Sequence, residues 1–167
     1  MNNLALMARF NKWVNGRLYA CVAQLDDDAY RKDRKAFFGS IHNTLNHLLV
    51  VDRLWTSRIE GVDHGITSLG QILFDNLASL REARGPEDDR LIELVDGLGD
   101  ERLTAPVTYR RLAGGHGDEQ MRADHILITL YNHQTHHRGQ ITCMLTQAGI
   151  DPGDLDVIDF LDETVLS

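Results

Sequence analysis

Proline is scarce in this chain of 167 residues, and that scarcity constrains the fold more than any other feature. Prolines occur only at positions 86, 106 and 152. Because proline cannot donate the backbone hydrogen bond of a helix interior, their absence elsewhere leaves long segments free to be helical. Apolar residues recur in these segments at spacings of three, four and seven, which is typical of amphipathic helices. The pattern therefore predicts an all-α protein.

Four regions share this helical periodicity: about residues 3–25, 37–59, 72–98 and 124–148. Gly61 is a stop signal for the second helix, Asp124 is the expected N-cap of the last one, and Gly149 ends it. In the third region, Gly85-Pro86 either kinks one helix or begins a second. Four stretches of this length can bury one shared core, so we expect a four-helix bundle.

A short segment before the last helix has a different character. Strand-prone residues at 107–109 precede a glycine-rich turn at 113–118, and residues 119–122 can return as a second strand. We therefore predict a small β-hairpin there. Two other segments receive simpler interpretations: the acidic run at 87–89 is a solvated helix start, and the tail from residue 151 is a loop packed onto the bundle.

Composition limits the class of protein. The length, with 43% hydrophobic and 25% charged residues, predicts one soluble domain over residues 1–167. The net charge of −8 offers no basic surface for nucleic acid. No segment approaches the ~20 apolar residues of a bilayer span, so neither a membrane helix nor an export signal is expected. Cys21 and Cys143 lie outside any C-x-x-C pattern, which favours a reducing, cytoplasmic location.

Four of the eight histidines lie in the last predicted helix. At about 100° per residue, His133 and His137 fall beside or within the stripe that faces the core, whereas His136 turns to the exposed side. Two histidines at positions i and i+4 can present their ring nitrogens to one ion. The spacing predicts a metal site on His133 and His137, and hydrogen-bonded core histidines are the alternative interpretation.

A further metal ligand must come from another helix, because two histidines leave a first-row divalent ion under-coordinated. The second helix carries His42 and His47. We favour His47, since it shares its stripe with Val51 and Leu54. The remaining histidines are interpreted as surface groups or as groups surrounding the site: His42, His64, His116 and His125.

Four residues near these motifs receive structural interpretations. Asp52 lies five positions beyond His47 and so on another face, with no role supported by its spacing. Arg138 is a candidate to cap polar groups near the metal, although it is predicted to point away from the apolar stripe, toward a dimer contact or the tail. Trp55 is expected to serve packing rather than substrate binding, and Cys143 is placed on the exposed flank.

The two histidine motifs together resemble the DinB family over nearly the whole chain. They read HQTHHRGQ at 133–140 and LNHLLVVDRLW at 45–55. The resemblance implies a four-helix bundle that holds a divalent metal, usually nickel or zinc, through three histidines, here His47, His133 and His137. It also implies a homodimer. The Gly85-Pro86 pair departs from the helix formers expected in relatives.

The resemblance also bears on activity, because members with an assigned reaction are mostly thiol-dependent S-transferases or related isomerases. It implies a metal-dependent S-transferase that joins a low-molecular-weight thiol to an electrophilic substrate. Three alternatives stay open: a metal-dependent hydrolase, a bundle fastened by a non-catalytic ion, and a stress-response dimer acting through its surface or a cavity. The sequence assigns no catalytic residue.

Overall fold

The computed structural model describes residues 2–63, 65–112 and 117–164. This part of the chain is predominantly helical, with a two-stranded hairpin before the last long helix, which confirms the predicted all-α class. Its elements in chain order are α1 (Asn3–Val22), α2 (Asp27–Arg31), α3 (Ile41–Glu60), α4 (Leu77–Gly97), α5 (Asp100–Thr104), β1 (Pro106–Tyr109), β2 (Glu119–Arg122), α6 (Ala123–Gln147) and α7 (Val157–Thr164).

Capping residues fix the ends of the long helices. The side chains of Asn2, Ser40 and Asn76 each accept a backbone N–H in the first turn of α1, α3 and α4. Gly61 has φ +73° and ends α3 in the left-handed conformation, as predicted. The Ser40 cap explains why α3 begins at Ile41 instead of residue 37.

Helix α4 continues through Pro86 as a single helix. The interpretation of the acidic run at 87–89 as a solvated helix start was therefore wrong. Glu87 and Asp88 lie in the middle of α4 and are buried, because arginine side chains neutralise them. Asp88 forms an ion pair with Arg84 one turn earlier, and Glu87 forms one with Arg53 of α3.

The four long helices pack in a closed cycle: α1 contacts α4 and α6, and α3 contacts the same two helices. This arrangement is compatible with the predicted four-helix bundle. Two apolar clusters fill its interior. Leu91 and Leu130 belong to one cluster, and Leu45 and Ile141 to the other. Between the two clusters along these helices lie several buried polar side chains, described below.

The hairpin pairs β1 with β2 in antiparallel register, with Pro106 opposite Arg122 and Tyr109 opposite Glu119. The predicted turn at 113–118 falls mostly outside the described residues. Strand β2 runs directly into α6, so Arg122 occupies the N-cap position. The expectation that Asp124 caps α6 was wrong; its carboxylate accepts the backbone N–H of His125 within the first turn.

The tail also differs from its prediction as a loop. Residues 157–164 form α7, which packs on α1. Phe160 is buried against Phe10 and Val14 of α1, and this contact gives the short helix a hydrophobic face to bury. Among the helices that the structure describes, none is long and apolar enough to cross a membrane.

Candidate metal centre

Helices α3 and α6 bring together the three histidines singled out from the sequence. His47 comes from α3, and His133 and His137 lie one turn apart on α6. One ring nitrogen from each lies within 4.8 Å of the others, and the Nε2 atoms of His47 and His133 are 2.9 Å apart. Two nitrogens on one tetrahedral ion would be about 3.4 Å apart. The grouping therefore has the dimensions of a single-ion site.

Two of the imidazoles have their orientation and tautomer set by the protein. Nδ1 of His47 donates to the backbone carbonyl of Leu69 at 2.7 Å. Nδ1 of His137 donates to the side-chain oxygen of Gln140 at 2.8 Å. A proton on Nδ1 leaves the Nε2 lone pair available, and such hydrogen bonds commonly support metal-binding histidines.

Among the three imidazoles, His133 is the one whose hydrogen-bonding capacity is not fully satisfied. Its Nδ1 is buried and has no hydrogen-bond partner among the described residues. Its Nε2 faces the unprotonated Nε2 of His47. A proton on His133 Nδ1 would leave two lone pairs facing each other, and a proton on Nε2 would leave Nδ1 as an orphaned acceptor. A cation between the rings removes the repulsion in the first arrangement, so the donor set fits a metal ion.

Burial keeps these imidazoles neutral. Burial, with a smaller contribution from the neighbouring imidazoles, lowers the pKa of His47 to about 4 and that of His133 to about 3. Desolvation also lowers the pKa of His137. All three rings are therefore unprotonated near pH 7, which is the form that binds metals.

Phe38 covers one side of the histidine group. Its ring stacks on His47 with centroids 3.9 Å apart, and lies 5.5 Å from His137. Sequence reasoning missed this residue, because it placed Phe38 inside the second helix, whereas Phe38 belongs to the segment that precedes the Ser40 cap. No spacing signal could have placed this ring on the site.

Comparison with known proteins bears on the same residues. The family model described as "DinB family" matches residues 1–165. The chain belongs to the DinB family. A curated protein of similar sequence, Protein DinB of Bacillus subtilis (strain 168), is 25% identical over 170 aligned residues, which cover 93% of this chain and 92% of that protein. The resemblance seen in the two histidine motifs is therefore confirmed at the level of the family.

In this DinB-family chain, a cavity of about 400 Å³ adjoins the histidine group. His133 and Leu69 form part of its wall, and Leu69 also supplies the carbonyl that holds His47. Trp55 and Tyr109 form another part, with ring centroids 5.1 Å apart. Trp55 therefore packs against the core, as expected, and in addition faces a space large enough for a small ligand.

The other histidines that the structure describes take no part in the group. His125 and His136 are exposed, and His136 accepts a hydrogen bond from Gln140. His42 is buried instead of lying on the surface, because its Nδ1 pairs with the hydroxyl of Tyr30 at 3.1 Å. His64 and His116 lie outside the described residues. Cys143 is exposed, as predicted.

A second set of buried polar residues, which we call the polar layer, crosses the interior between the two apolar clusters: Asn11, Asn15, Asp52, Arg84, Asp88, Gln134 and Arg138. Arg84 contacts Asp52 at 2.7 Å and Asp88 at 3.0 Å. The outward placement of Arg138 was wrong, since this side chain is buried and donates to Asn11. The sequence signal that could have revealed the layer is that each long helix carries a polar residue at the same height along the bundle.

Proposed function

We propose that this protein binds one divalent metal ion, nickel or zinc, through His47, His133 and His137, and that it acts as a thiol-dependent S-transferase. The observation that carries the proposal is the convergence of three neutral imidazoles, together with a buried Nδ1 of His133 that has no hydrogen-bond partner among the described residues. No fourth His, Cys, Asp or Glu joins this group within the described ranges. A donor set of three leaves a coordination position for an exogenous ligand.

The proposed transfer chemistry depends on the positive charge of the metal ion. A divalent ion on three neutral imidazoles would keep its full charge and lower the pKa of a thiol at its open position. In the transfer, the thiol proton goes to solvent, sulfur forms a bond to the electrophilic carbon, and the leaving group departs with the electrons of its broken bond. A low-molecular-weight thiol is abundant in a reducing compartment, so a cytoplasmic location is part of the proposal.

The protein's own groups prepare this step by orientation and exclusion of water. The Leu69 carbonyl and Gln140 fix the rings of His47 and His137. Phe38 covers the group on one side, and the cavity beside His133 gives an electrophile room to approach. Prearranged ligands and a partly apolar surround favour attack by the thiolate over competing reactions with water.

Spectroscopic titration tests the proposal. Cobalt- or nickel-loaded protein is titrated with glutathione, bacillithiol and mycothiol, and we expect one of these thiols to produce a sulfur-to-metal charge-transfer band. The same thiol should support turnover of a thiol-reactive electrophile above the background of the His137→Ala variant. His136→Ala is the matched control and should retain both signals. Absence of any band together with absence of turnover would remove the transferase proposal.

A structural role for the metal is the second candidate, because the three histidines come from two helices and an ion would link α3 to α6. This role predicts a higher melting temperature with metal and no spectral response to thiols. The titration therefore distinguishes the two candidates.

We also propose a homodimer, for which the family resemblance is the support. Light scattering at micromolar concentration should give twice the mass of one chain, and a monomer at that concentration would contradict the proposal.

A further inference from the structure

We propose that the cavity beside His133 takes a substrate with an apolar body and a single carboxylate, and that Arg58 binds that carboxylate. This inference rests on the proposed function for its orientation, since it assumes that the reacting carbon lies at the His133 end. It assigns a substrate class and a specificity residue to the site.

The lining of the cavity points to an apolar ligand. Most of the wall consists of aliphatic and aromatic side chains: Val51, Leu54, Trp55, Leu69, Tyr109, Leu112 and Met121. A cavity of about 400 Å³ suits a small organic molecule. Within this wall, Arg58 and Arg111 supply the cationic groups and His133 supplies an imidazole.

The two arginines differ in whether their charge is already matched. Arg111 forms an ion pair with Glu119 at 2.8 Å. Arg58 is half-buried and has no carboxylate within ion-pair distance in the part of the chain that the structure describes. Glu119 is the acidic group whose field reaches Arg58, and its carboxylate is engaged by Arg111 and the hydroxyl of Tyr109. The charge of Arg58 therefore remains available to an anion.

The guanidinium of Arg58 is also held in place. It lies over the rings of Trp55 and Tyr109, 4.4 and 4.7 Å from their centroids. Its Nη2 donates to the backbone carbonyl of Arg110, while Nε and Nη1 have no hydrogen-bond partner among the described residues. The second N–H of Nη2, together with Nε or Nη1, forms an edge that can bind a planar carboxylate through two parallel hydrogen bonds.

The charge balance favours a carboxylate over a dianionic phosphate. One unmatched cation in a largely apolar wall compensates one negative charge, and a second negative charge would be desolvated without a partner. The apolar body then packs against Trp55 and Met121, and Arg58 selects acids over neutral analogues of the same shape.

Ligand binding to the purified protein tests this assignment without measuring activity. The probes are 3-phenylpropionate and its neutral amide, which share one shape. Binding is followed by the fluorescence of Trp55 in a Trp13→Phe background, where Trp55 is the remaining tryptophan. We expect the acid to bind more tightly than the amide. Arg58→Gln should weaken binding of the acid about tenfold and leave the amide unchanged.

Three further variants complete the experiment. Arg58→Lys keeps the charge and should recover part of the affinity, which shows that loss of folding is not the cause. Arg111→Gln should have a smaller effect because its charge is already paired, and Arg9→Gln, which lies in an exposed ion pair with Asp96, should have none. Circular dichroism checks that each variant is folded.

The outcomes separate this inference from the proposed function. Failure of the acid to bind, equal affinity for acid and amide, or a preference for the acid that survives Arg58→Gln would overturn the role of Arg58. The last result would place the carboxylate elsewhere, for example on a bound metal ion. A protein that shows neither a thiol-dependent band nor thiol-dependent turnover but retains the Arg58-dependent preference would lose the transferase proposal and keep this one.

Discussion

Two buried polar regions lie inside this bundle, and they differ in how the energetic cost of burying their polar groups is offset. In the polar layer, Arg84 sits between Asp52 and Asp88, and amide side chains supply further hydrogen bonds. In the histidine group, burial keeps the three imidazoles neutral instead of matching them with opposite charges. The first region carries its own counter-charges. The second has a donor set that fits a cation from outside.

This difference separates structural polar groups from functional ones. A buried carboxylate is expensive unless a cation and hydrogen bonds accompany it, and the layer provides both. A cluster of neutral imidazoles with free lone pairs gains little for the fold by itself. The contrast predicts that changes in the layer alter stability, whereas changes in the histidine group alter metal binding.

The largest expected effect is on stability, from Arg84→Met. This change leaves Asp52 and Asp88 buried without the arginine that forms an ion pair with each of them, which costs about 3–5 kcal/mol. For a protein of this size, the melting temperature should fall by roughly 10 °C. Thermal denaturation followed by circular dichroism measures it.

The control for that prediction is Arg9→Met, because Arg9 pairs with Asp96 on the surface and should contribute little. The folded Arg84→Met protein should still bind metal with the stoichiometry of the parent. If Arg84→Met were as stable as the parent, the buried carboxylates of the layer would not need Arg84 as their counter-charge.

The second effect is on metal binding, from His133→Ala. Removing a ligand should weaken binding by more than the roughly 10- to 100-fold that follows from loss of a supporting hydrogen bond. Metal analysis after gel filtration should find less than stoichiometric nickel or zinc, and added metal should no longer raise the melting temperature. His136→Ala should behave as the parent, and loss of metal from that variant alone would contradict the assigned ligands.

The sequence predicted the helical framework well, because helical periodicity and capping glycines are local signals. The boundary at Gly61 and the hairpin before α6 are confirmed. The grouping of His133 with His137 followed from their i, i+4 spacing on an inward stripe. Placing His47 beside them needed more than spacing, since both histidines of α3 are buried and only the fold determines which one meets α6.

The polar layer could not be predicted in the same way. The sequence predicted a solvated position for the acidic run that contains Asp88, and the helical wheel turned Arg138 away from the apolar stripe. Both side chains are buried, and each is hydrogen-bonded to an asparagine of α1. Such pairing is decided by tertiary contacts between helices. The same applies to Pro86: its missing N–H costs one hydrogen bond, and packing of α4 on its neighbours keeps the helix continuous.

The third prediction concerns the dependence of stability on pH, because protonation in the two regions changes stability in opposite directions. In the metal-free protein, His47 and His133 have pKa values of about 4 and 3, below the ordinary value of about 6.5. Between pH 6.5 and 4 the unfolded chain therefore binds more protons at these histidines, and stability falls as the pH falls. Burial raises the pKa of Asp88 to about 6. At this group the folded state binds the extra proton between pH 6 and 4, which stabilises it.

Melting temperatures between pH 7 and 4.5 measure the balance. The four histidines with lowered pKa values outnumber the two aspartates of the layer with raised values, Asp52 and Asp88, so the metal-free parent should lose stability toward acid. Removing one imidazole in His133→Gln should make this loss shallower, and removing the carboxyl in Asp88→Asn should make it steeper. If the slope of melting temperature against pH changed in the same direction in both variants, the two regions would not have opposite effects on stability.

The smallest effect comes from Gln140, which supports a ligand without being one. Gln140→Ala removes the acceptor that fixes the Nδ1 proton of His137, and we expect metal affinity to fall about tenfold. The carbonyl of Leu69 still holds His47, so the stoichiometry should remain one ion per chain. Gln140→Glu keeps an acceptor at this position and should retain the parent affinity. Competition with a chromophoric chelator measures all three proteins, and complete loss of metal from Gln140→Ala would mean that Gln140 itself is a ligand.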